Sequence, residues 1–447
     1  MKTPPASPAW ASAVEACVQR LQRALGLPGV ACGVRLGDAP PSIICAGMAS
    51  PSLRVPVSPA TLFHVGSIGK HMTAVALLMV AERGALSLDD TVGQHLPSLP
   101  EAWLGVRVRQ LLQHTSGIVD YIFHVPDDRD LANAEVYARI GALPLLFEPG
   151  NCWSYSNTNY RIAGDIAAAC AGVSFAELMA ELFQRAGMQH ARLDDGEALV
   201  PDHAEPCVWT EGEWRRAGTF YAINVGSADG GVAMSALDAV SWDRALWDSR
   251  IVGPSSLDLL CEVTRLPGDL VQPYGLGLNL QTVDPARPVF SHSGAMPGFC
   301  AHMLHAPTEA LGVMVMTNGV RPPGCRQIAE AVAELASPGL TVLSLAPQAG
   351  SADPEDHQVR QLLFRGSQAV DPGVFAPVME KLFVGDGAVR ALPDFSALGS
   401  PDEFARLRGP GADEGTLRLY RLRWGERIEH IRVARLPDGR IWRLGLN

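Results

Sequence analysis

Strand-like apolar runs stand at both ends of the first 345 residues, with mostly helical patterns between them, so any large sheet must join the two ends of this segment. Residues 8–25 place Val14, Val18, Leu21 and Leu25 on one helical face. Two short apolar runs follow, 29–36 and 42–47, split by Gly37-Asp-Ala-Pro-Pro, and read as an antiparallel pair. The middle carries helix start signals, Ser174-Phe-Ala-Glu177 and Ser235-Ala-Leu-Asp238. Strand patterns return at 274–280, 289–294, 300–305 and 311–318, ahead of a helix over about 325–335. The expectation is an α+β domain over residues 1–345.

The segment 345–357 is rich in Pro, Gly, Ser and acidic residues and reads as an exposed linker. Beyond it, in a second domain over 358–447, the apolar period falls to two: Leu417, Leu419 and Leu422, then Ile428, Ile431 and Val433, then Ile441 and Leu444. Turn signals sit at Asp386-Gly387 and Asp438-Gly439. This tail is expected to form an antiparallel sheet or small barrel.

The composition narrows the class. With 47% hydrophobic and 19% charged residues in 447, the chain has the makeup of a globular protein. The longest apolar run, Ala74 to Ala81, is far short of the ~20 residues a membrane span needs. All of the net charge of −11 falls in residues 1–350, which argues against nucleic acid and anionic membrane as partners. The nine cysteines are scattered, odd in number and never in a Cys-x-x-Cys pair, and residues 1–23 show no continuous apolar stretch of an export signal. Reduced thiols in a cytoplasmic protein are the expectation; a homo-oligomer stays open.

Lysine is nearly absent: Lys2, Lys70 and Lys381 are the only three among 36 basic residues. A lysine retained inside such a chain invites a role arginine cannot fill, and arginine cannot give up its proton. Lys70 follows Ser67 by three residues at the start of an apolar helical stretch, which puts hydroxyl and amine on one face at the helix N-terminus. Trp153-Ser-Tyr155-Ser-Asn157 supplies a phenol and an amide, and Val289-Phe-Ser-His292-Ser-Gly294-Ala295 an imidazole and a glycine on a strand.

These segments in this order resemble the serine β-lactamase and penicillin-recognising hydrolase family, in the branch with class C β-lactamases, D-aminopeptidases and related esterases. Ser-x-x-Lys is Ser67 and Lys70, Tyr-x-Asn is Tyr155 and Asn157, and the Lys-Thr-Gly of the lactamases appears as His292-Ser293-Gly294. Leu111-Leu-Gln-His-Thr-Ser-Gly, Phe147-Glu-Pro-Gly, Gly230-Gly-Val-Ala-Met-Ser and Tyr274-Gly-Leu-Gly-Leu-Asn also look familial. Within the family the chain is most similar to D-aminopeptidases, whose catalytic domain precedes β-barrel domains; a tail of about 90 residues has room for one such barrel rather than two.

The resemblance implies a cofactor-free, metal-free serine hydrolase. Ser67 would attack a carbonyl, Lys70 and Tyr155 would exchange its proton, and the N–H groups of Ser67 and Ala295 would form the oxyanion hole. Asn157 would hold the substrate amide, and Gly294 would leave a bare strand edge for an extended substrate. A mostly neutral His292 suits a carboxylate poorly where the lactamases use lysine; the alternative is that it packs beside Tyr155. Asp120, or the polar stretch from Asp402-Glu403 to Asp413-Glu414, is expected to meet the ammonium of a substrate. His64 and His114 read as packing residues, and His302 and His305, three apart on a strand, face opposite ways and share no metal. The first reading is cleavage of short peptides or amides with a free amino-terminal D-residue. A carboxylesterase, a β-lactamase or DD-carboxypeptidase, and a non-catalytic ligand sensor remain open.

Overall fold

The computed structural model describes residues 9–125, 131–196, 198–217, 226–281, 283–320, 323–348, 353–366, 368–384, 392–409 and 417–446. The chain falls into two compact units, one of residues 1–280 and 289–337, the other of 281–288 and 338–447.

The first unit is built on a seven-stranded antiparallel sheet. Its strands run in the order Asn279–Leu280, Phe290–Met296, Phe299–Ala306, Leu311–Thr317, Gly29–Leu36, Ser42–Ser50 and Val55–Pro56. The early strand Gly29–Leu36 pairs along its length with the late strand Leu311–Thr317, Val30 opposite Thr317 and Leu36 opposite Leu311, so the sheet does join the two ends of the unit. Both faces are covered, which is why Gly29–Leu36 is buried almost throughout rather than alternating. The opening helix Ala9–Ala24 and the helix Gly324–Ala336 pack together on one side, and Ala236–Trp247 lies against the central strands on the other. Gly33 permits that last contact, because a Cβ there would sit 2.9 Å from the Ala236 carbonyl. The start signals at Ser174 and Ser235 are both realised as capping boxes, with Glu177 and Asp238.

The helix Ile68–Glu82 is apolar nearly all round, and its buried face includes every residue from Ile68 to Val80. It packs against the helix Asn157–Ala171 and the strand Phe290–Met296, which brings the three sequence motifs together. One expected strand is mostly a turn. Of Tyr274 to Leu280 only Asn279 and Leu280 pair with the neighbouring strand; the preceding residues fold back through Gly277, at φ +78°, whose missing side chain leaves room for the His71 backbone. Among the described residues the strand Phe290–Met296 therefore has no strand partner on its outer edge from His292 onward.

The second unit holds a five-stranded antiparallel sheet in the order Ala346–Pro347, Glu403–Arg408, Leu417–Trp424, Arg427–Arg435, Ile441–Leu446. The expected small barrel is not formed: among the described residues the sheet stays open. Its first strand is only two residues long, and one face is closed instead by the helices Pro354–Leu363 and Pro377–Phe383, which bury Val359, Leu363 and Met379 with Tyr420, Ile431 and Val433. The Asp438-Gly439 turn is present, with Gly439 at φ +88°; Asp386-Gly387 lies outside the described residues. Among the described residues no single helix is long and apolar enough to cross a membrane.

A buried polar network pins sheet to helix in the first unit. Asp243 accepts from Arg35 Nε at 2.5 Å and meets His305 Nδ1 at 2.8 Å, and His305 stacks on Trp247 with ring centroids 4.0 Å apart. Burial opposes the Asp243 carboxylate, but His305 and Arg35 outweigh it and hold the group below the usual range. Asp243→Ala, which leaves Arg35 buried without its partner, should cost about 3–5 kcal/mol in urea denaturation, and replacing both residues by apolar ones should recover part of that loss.

Candidate active site

Ser67 and Lys70 meet as their spacing demands. Ser67 stands just before the helix Ile68–Glu82 without capping it through its side chain, and the Lys70 Nζ donates to its Oγ at 3.0 Å. Lys70 is fully buried. Its second acceptor is the backbone carbonyl of Asp229, 2.6 Å away, and the faces of Tyr155 and Tyr160 lie 5.1 and 5.9 Å from the amine. Asp229 is itself held: its carboxylate accepts from Tyr121 OH at 2.9 Å and pairs with Arg161 Nε at 3.4 Å, all three being buried. The carbonyl that orients Lys70 thus stands on a buried ion pair.

Asp229 escaped the sequence reading. A backbone carbonyl acceptor carries no side-chain signature, and the only hint was the adjacent Gly230-Gly231. Gly69 of the helix packs closely on Gly230, whose Cα a Cβ on Gly69 would approach to 3.3 Å.

The second wall is aromatic. Tyr155 lies on His114 at 4.3 Å between ring centroids, and His114 also touches Trp153, Tyr160 and Tyr274. The Nδ1 of His114 accepts from the Ser156 N–H at 3.1 Å, tying the Tyr155 segment down. His114 is the packing residue expected, with a defined job. Asn157 begins the helix Asn157–Ala171, and its Nδ2 donates to both Asp120 carboxylate oxygens, at 3.2 and 3.0 Å. The two residues singled out for substrate contacts are therefore joined to each other.

The third wall is the strand Phe290–Met296. His292 is buried, and both of its nitrogens are engaged: Nδ1 lies 2.6 Å from the Ser293 carbonyl and Nε2 3.1 Å from Tyr274 OH. A carbonyl only accepts, so Nδ1 carries the proton and the neutral ring accepts from the tyrosine. Burial, with the Lys70 charge adding to it, pushes His292 down to about 4. As placed, the ring leaves no bare nitrogen for a substrate carboxylate.

Gly294 has a different reason from the one its sequence suggested. A Cβ there would fall 1.8 Å from the Val65 carbonyl and 3.1 Å from the Ser67 amide, so the missing side chain makes room for the turn that carries Ser67. Among the described residues the outer edge of this strand has no strand partner beyond Ser291. Gly66, at φ +50°, has its own Cβ position 2.8 Å from the Ala295 amide nitrogen, which brings the Ser67 and Ala295 amides side by side.

Of the tail carboxylates, Asp402 accepts from the Gly425 amide at 2.7 Å, and Glu403 pairs with Arg421 and Arg423 at 2.8 and 3.1 Å. Both serve their own sheet rather than standing ready for an ammonium. Asp413 and Glu414 lie outside the described residues.

The Beta-lactamase family model matches residues 14–337. A D-aminopeptidase of Gluconobacter oxydans is 33% identical over 281 residues, covering 61% of this chain and 52% of that protein, so the chain spans about half the length of this curated relative. The crystal structure of a penicillin-binding protein from Bacillus halodurans superposes with a TM-score of 0.64 at 26% identity over 71% of this chain and 99% of that one. A crystal structure of SurE matches through both units, with a TM-score of 0.66 at 25% identity over 98% and 97% of the two chains.

Two consequences can be measured. Gly294→Ala should displace the Ser67 turn and lower kcat by about a hundredfold or more, the cost of an ångström-scale misplacement. His292 has its folded value, about 4, below the ordinary 6.5, so its contribution to stability is complete above pH 6.5 and is lost as the pH falls toward 4. Denaturation of the wild type and His292→Gln across that range should separate by about 3 kcal/mol, the wild type losing more on acidification.

Proposed function

Because the chain belongs to the beta-lactamase family, we propose that it is a serine hydrolase working through an acyl-enzyme on Ser67, and that it cleaves short peptides or amides bearing a free amino-terminal D-residue. The observation that carries this reading is the contact between a fully buried Lys70 amine and Ser67 Oγ at 3.0 Å, with the amine fixed from behind by the Asp229 carbonyl. With the amine in its neutral form the same pair works in the opposite sense, the hydroxyl giving its proton to nitrogen.

Ser67 Oγ then bonds to the substrate carbonyl carbon as its proton passes to Lys70. The oxyanion is received by the adjacent Ser67 and Ala295 N–H groups, each worth about 10²–10³ in rate. Collapse breaks the carbon–nitrogen bond, and the leaving amine takes a proton relayed from Lys70 through Tyr155. Water repeats the sequence on the acyl-enzyme, releasing the acid and restoring Ser67. The helix N-terminus under Ser67 favours the negative charge developing there.

The substrate class rests on charge. His292 is neutral and fully engaged, which removes the cation a β-lactam or D-Ala carboxylate would need at this strand, and we take Asp120, held by Asn157, as the carboxylate for an ammonium group. The similarity to a D-aminopeptidase favours the same class.

The test compares D-alanine amide, its N-acetylated form, a chromogenic ester and a β-lactam. We expect turnover of the free amine in preference to the acetylated amide, complete loss in Ser67→Ala, loss of about 10²-fold or more in Lys70→Arg, and a fluorophosphonate adduct on Ser67. Ester turnover with no amine preference would assign a carboxylesterase. Rapid β-lactam hydrolysis would overturn the reading of His292, and the absence of any adduct at Ser67 would make the protein a ligand sensor on this fold.

A further inference from the structure

His64 was expected only to pack, and no metal site was anticipated, yet the fold brings His64 together with two distant residues. The short sheet beneath the Ser67 turn has three strands, Phe63–His64, Val232–Met234 and Arg192–Leu193, with Val232–Met234 in the middle. His64 and Arg192 both stand opposite Ala233, one from each side, and Asp194 follows directly, its amide bonded to the Gly231 carbonyl at 2.9 Å. The segment around His203 is laid against Leu62 by two backbone bonds of 2.9 Å, Leu62 N–H to the Asp202 carbonyl and Ala204 N–H to the Leu62 carbonyl. Backbone pairing alone therefore fixes all three positions.

One donor atom from each of His64, Asp194 and His203 lies within 4.8 Å of the others. The His64 Nε2 meets Asp194 Oδ2 at 2.8 Å, and the two imidazoles stand edge to face with centroids 5.1 Å apart. The other Asp194 oxygen accepts from the Gly196 N–H at 3.0 Å, which fixes the direction of the carboxylate. Phe299 closes the cluster, its ring centroid 5.4 Å from that of His64 and 5.6 Å from that of His203. Two imidazoles, one oriented carboxylate and an apolar wall form the three-ligand donor set of a borderline divalent ion, with a fourth position left for water. Magnesium and calcium prefer more oxygens than this set offers.

We propose that His64, Asp194 and His203 bind a zinc-like divalent cation that clamps the base of the Ser67 turn. The ion joins three segments distant in sequence, and one of them, His64, is three residues from Ser67. The two imidazoles offer the nitrogen donors of such a site and the Asp194 carboxylate its negative oxygen donor. Arg192 adds a repelling cation to the same neighbourhood, so binding depends on the Asp194 charge, and Asp194→Asn is the more damaging change.

The experiment uses the full chain, stripped with a chelator and then given Zn2+, Co2+ or Mg2+. We expect one Zn2+ retained per chain after dialysis, a rise in Tm on adding one equivalent, a visible Co2+ spectrum of four-coordinate type, and no retention of Mg2+. Competition with a chromogenic chelator should show affinity falling by at least about 10- to 100-fold in His203→Gln, the loss that even an outer-sphere change causes, and further in Asp194→Asn. His203 is the least buried of the three, so His203→Gln is the variant expected to fold as wild type, checked by circular dichroism. No retained Zn2+ in the wild type would overturn the proposal. So would equal affinity in wild type and His203→Gln, which would place the ion elsewhere, for instance on cysteine thiols.

Discussion

A fully buried lysine with two acceptors is the constraint on which the rest of the site depends. An amine taken out of water is costly unless its hydrogens are met, and Lys70 meets Ser67 Oγ and the Asp229 carbonyl. Each acceptor carries its own demand. Ser67 must sit at the end of a helix buried along its length, which leaves Ile68–Glu82 apolar apart from Lys70, His71, Thr73 and the terminal Glu82. The Asp229 carbonyl must be held in direction, and the ion pair of its side chain with Arg161, braced by Tyr121, does this. Removing one member of that buried pair would reach the amine through the backbone without touching the reacting atoms.

Close backbone approach is the second condition. Val65, Gly66 and Ser67 lie against Gly294 and Ala295 with no room for a Cβ on either glycine, so the two amides read as the oxyanion hole are adjacent because two glycines stand in register across the contact. Glycine is required here for proximity between protein segments.

The sequence was informative where function resides in side chains at fixed spacing. Ser67 and Lys70 could be paired because three residues on a helix make one face, and the capping boxes at Ser174 and Ser235 could be placed because they are local. The join between Gly29–Leu36 and Leu311–Thr317 followed from the order of strand and helix patterns. What stayed hidden depends on contacts between segments far apart in the chain. The Asp229 carbonyl has no residue signature, Gly294 could be read only as an open edge until Val65 was seen against it, and the grouping of His64, Asp194 and His203 exists only once the short sheet is formed. In the tail, period-two patterns identified the strands, but whether they close depends on the helices that cover one face, whose apolar residues meet the sheet only in three dimensions.

The neutral histidine explains how such a site keeps its protons in order. A charged imidazole in place of the neutral His292 would be repelled by the Lys70 charge through a medium with little water. Tyr274 and the Ser293 carbonyl resolve this by fixing the tautomer, one as donor and one as acceptor, while burial keeps the ring uncharged. Tyr160 and Tyr274 are likewise raised by burial and stay protonated. With these neighbours held in one protonation state, the proton route proposed between Ser67, Lys70 and Tyr155 has few competitors among them.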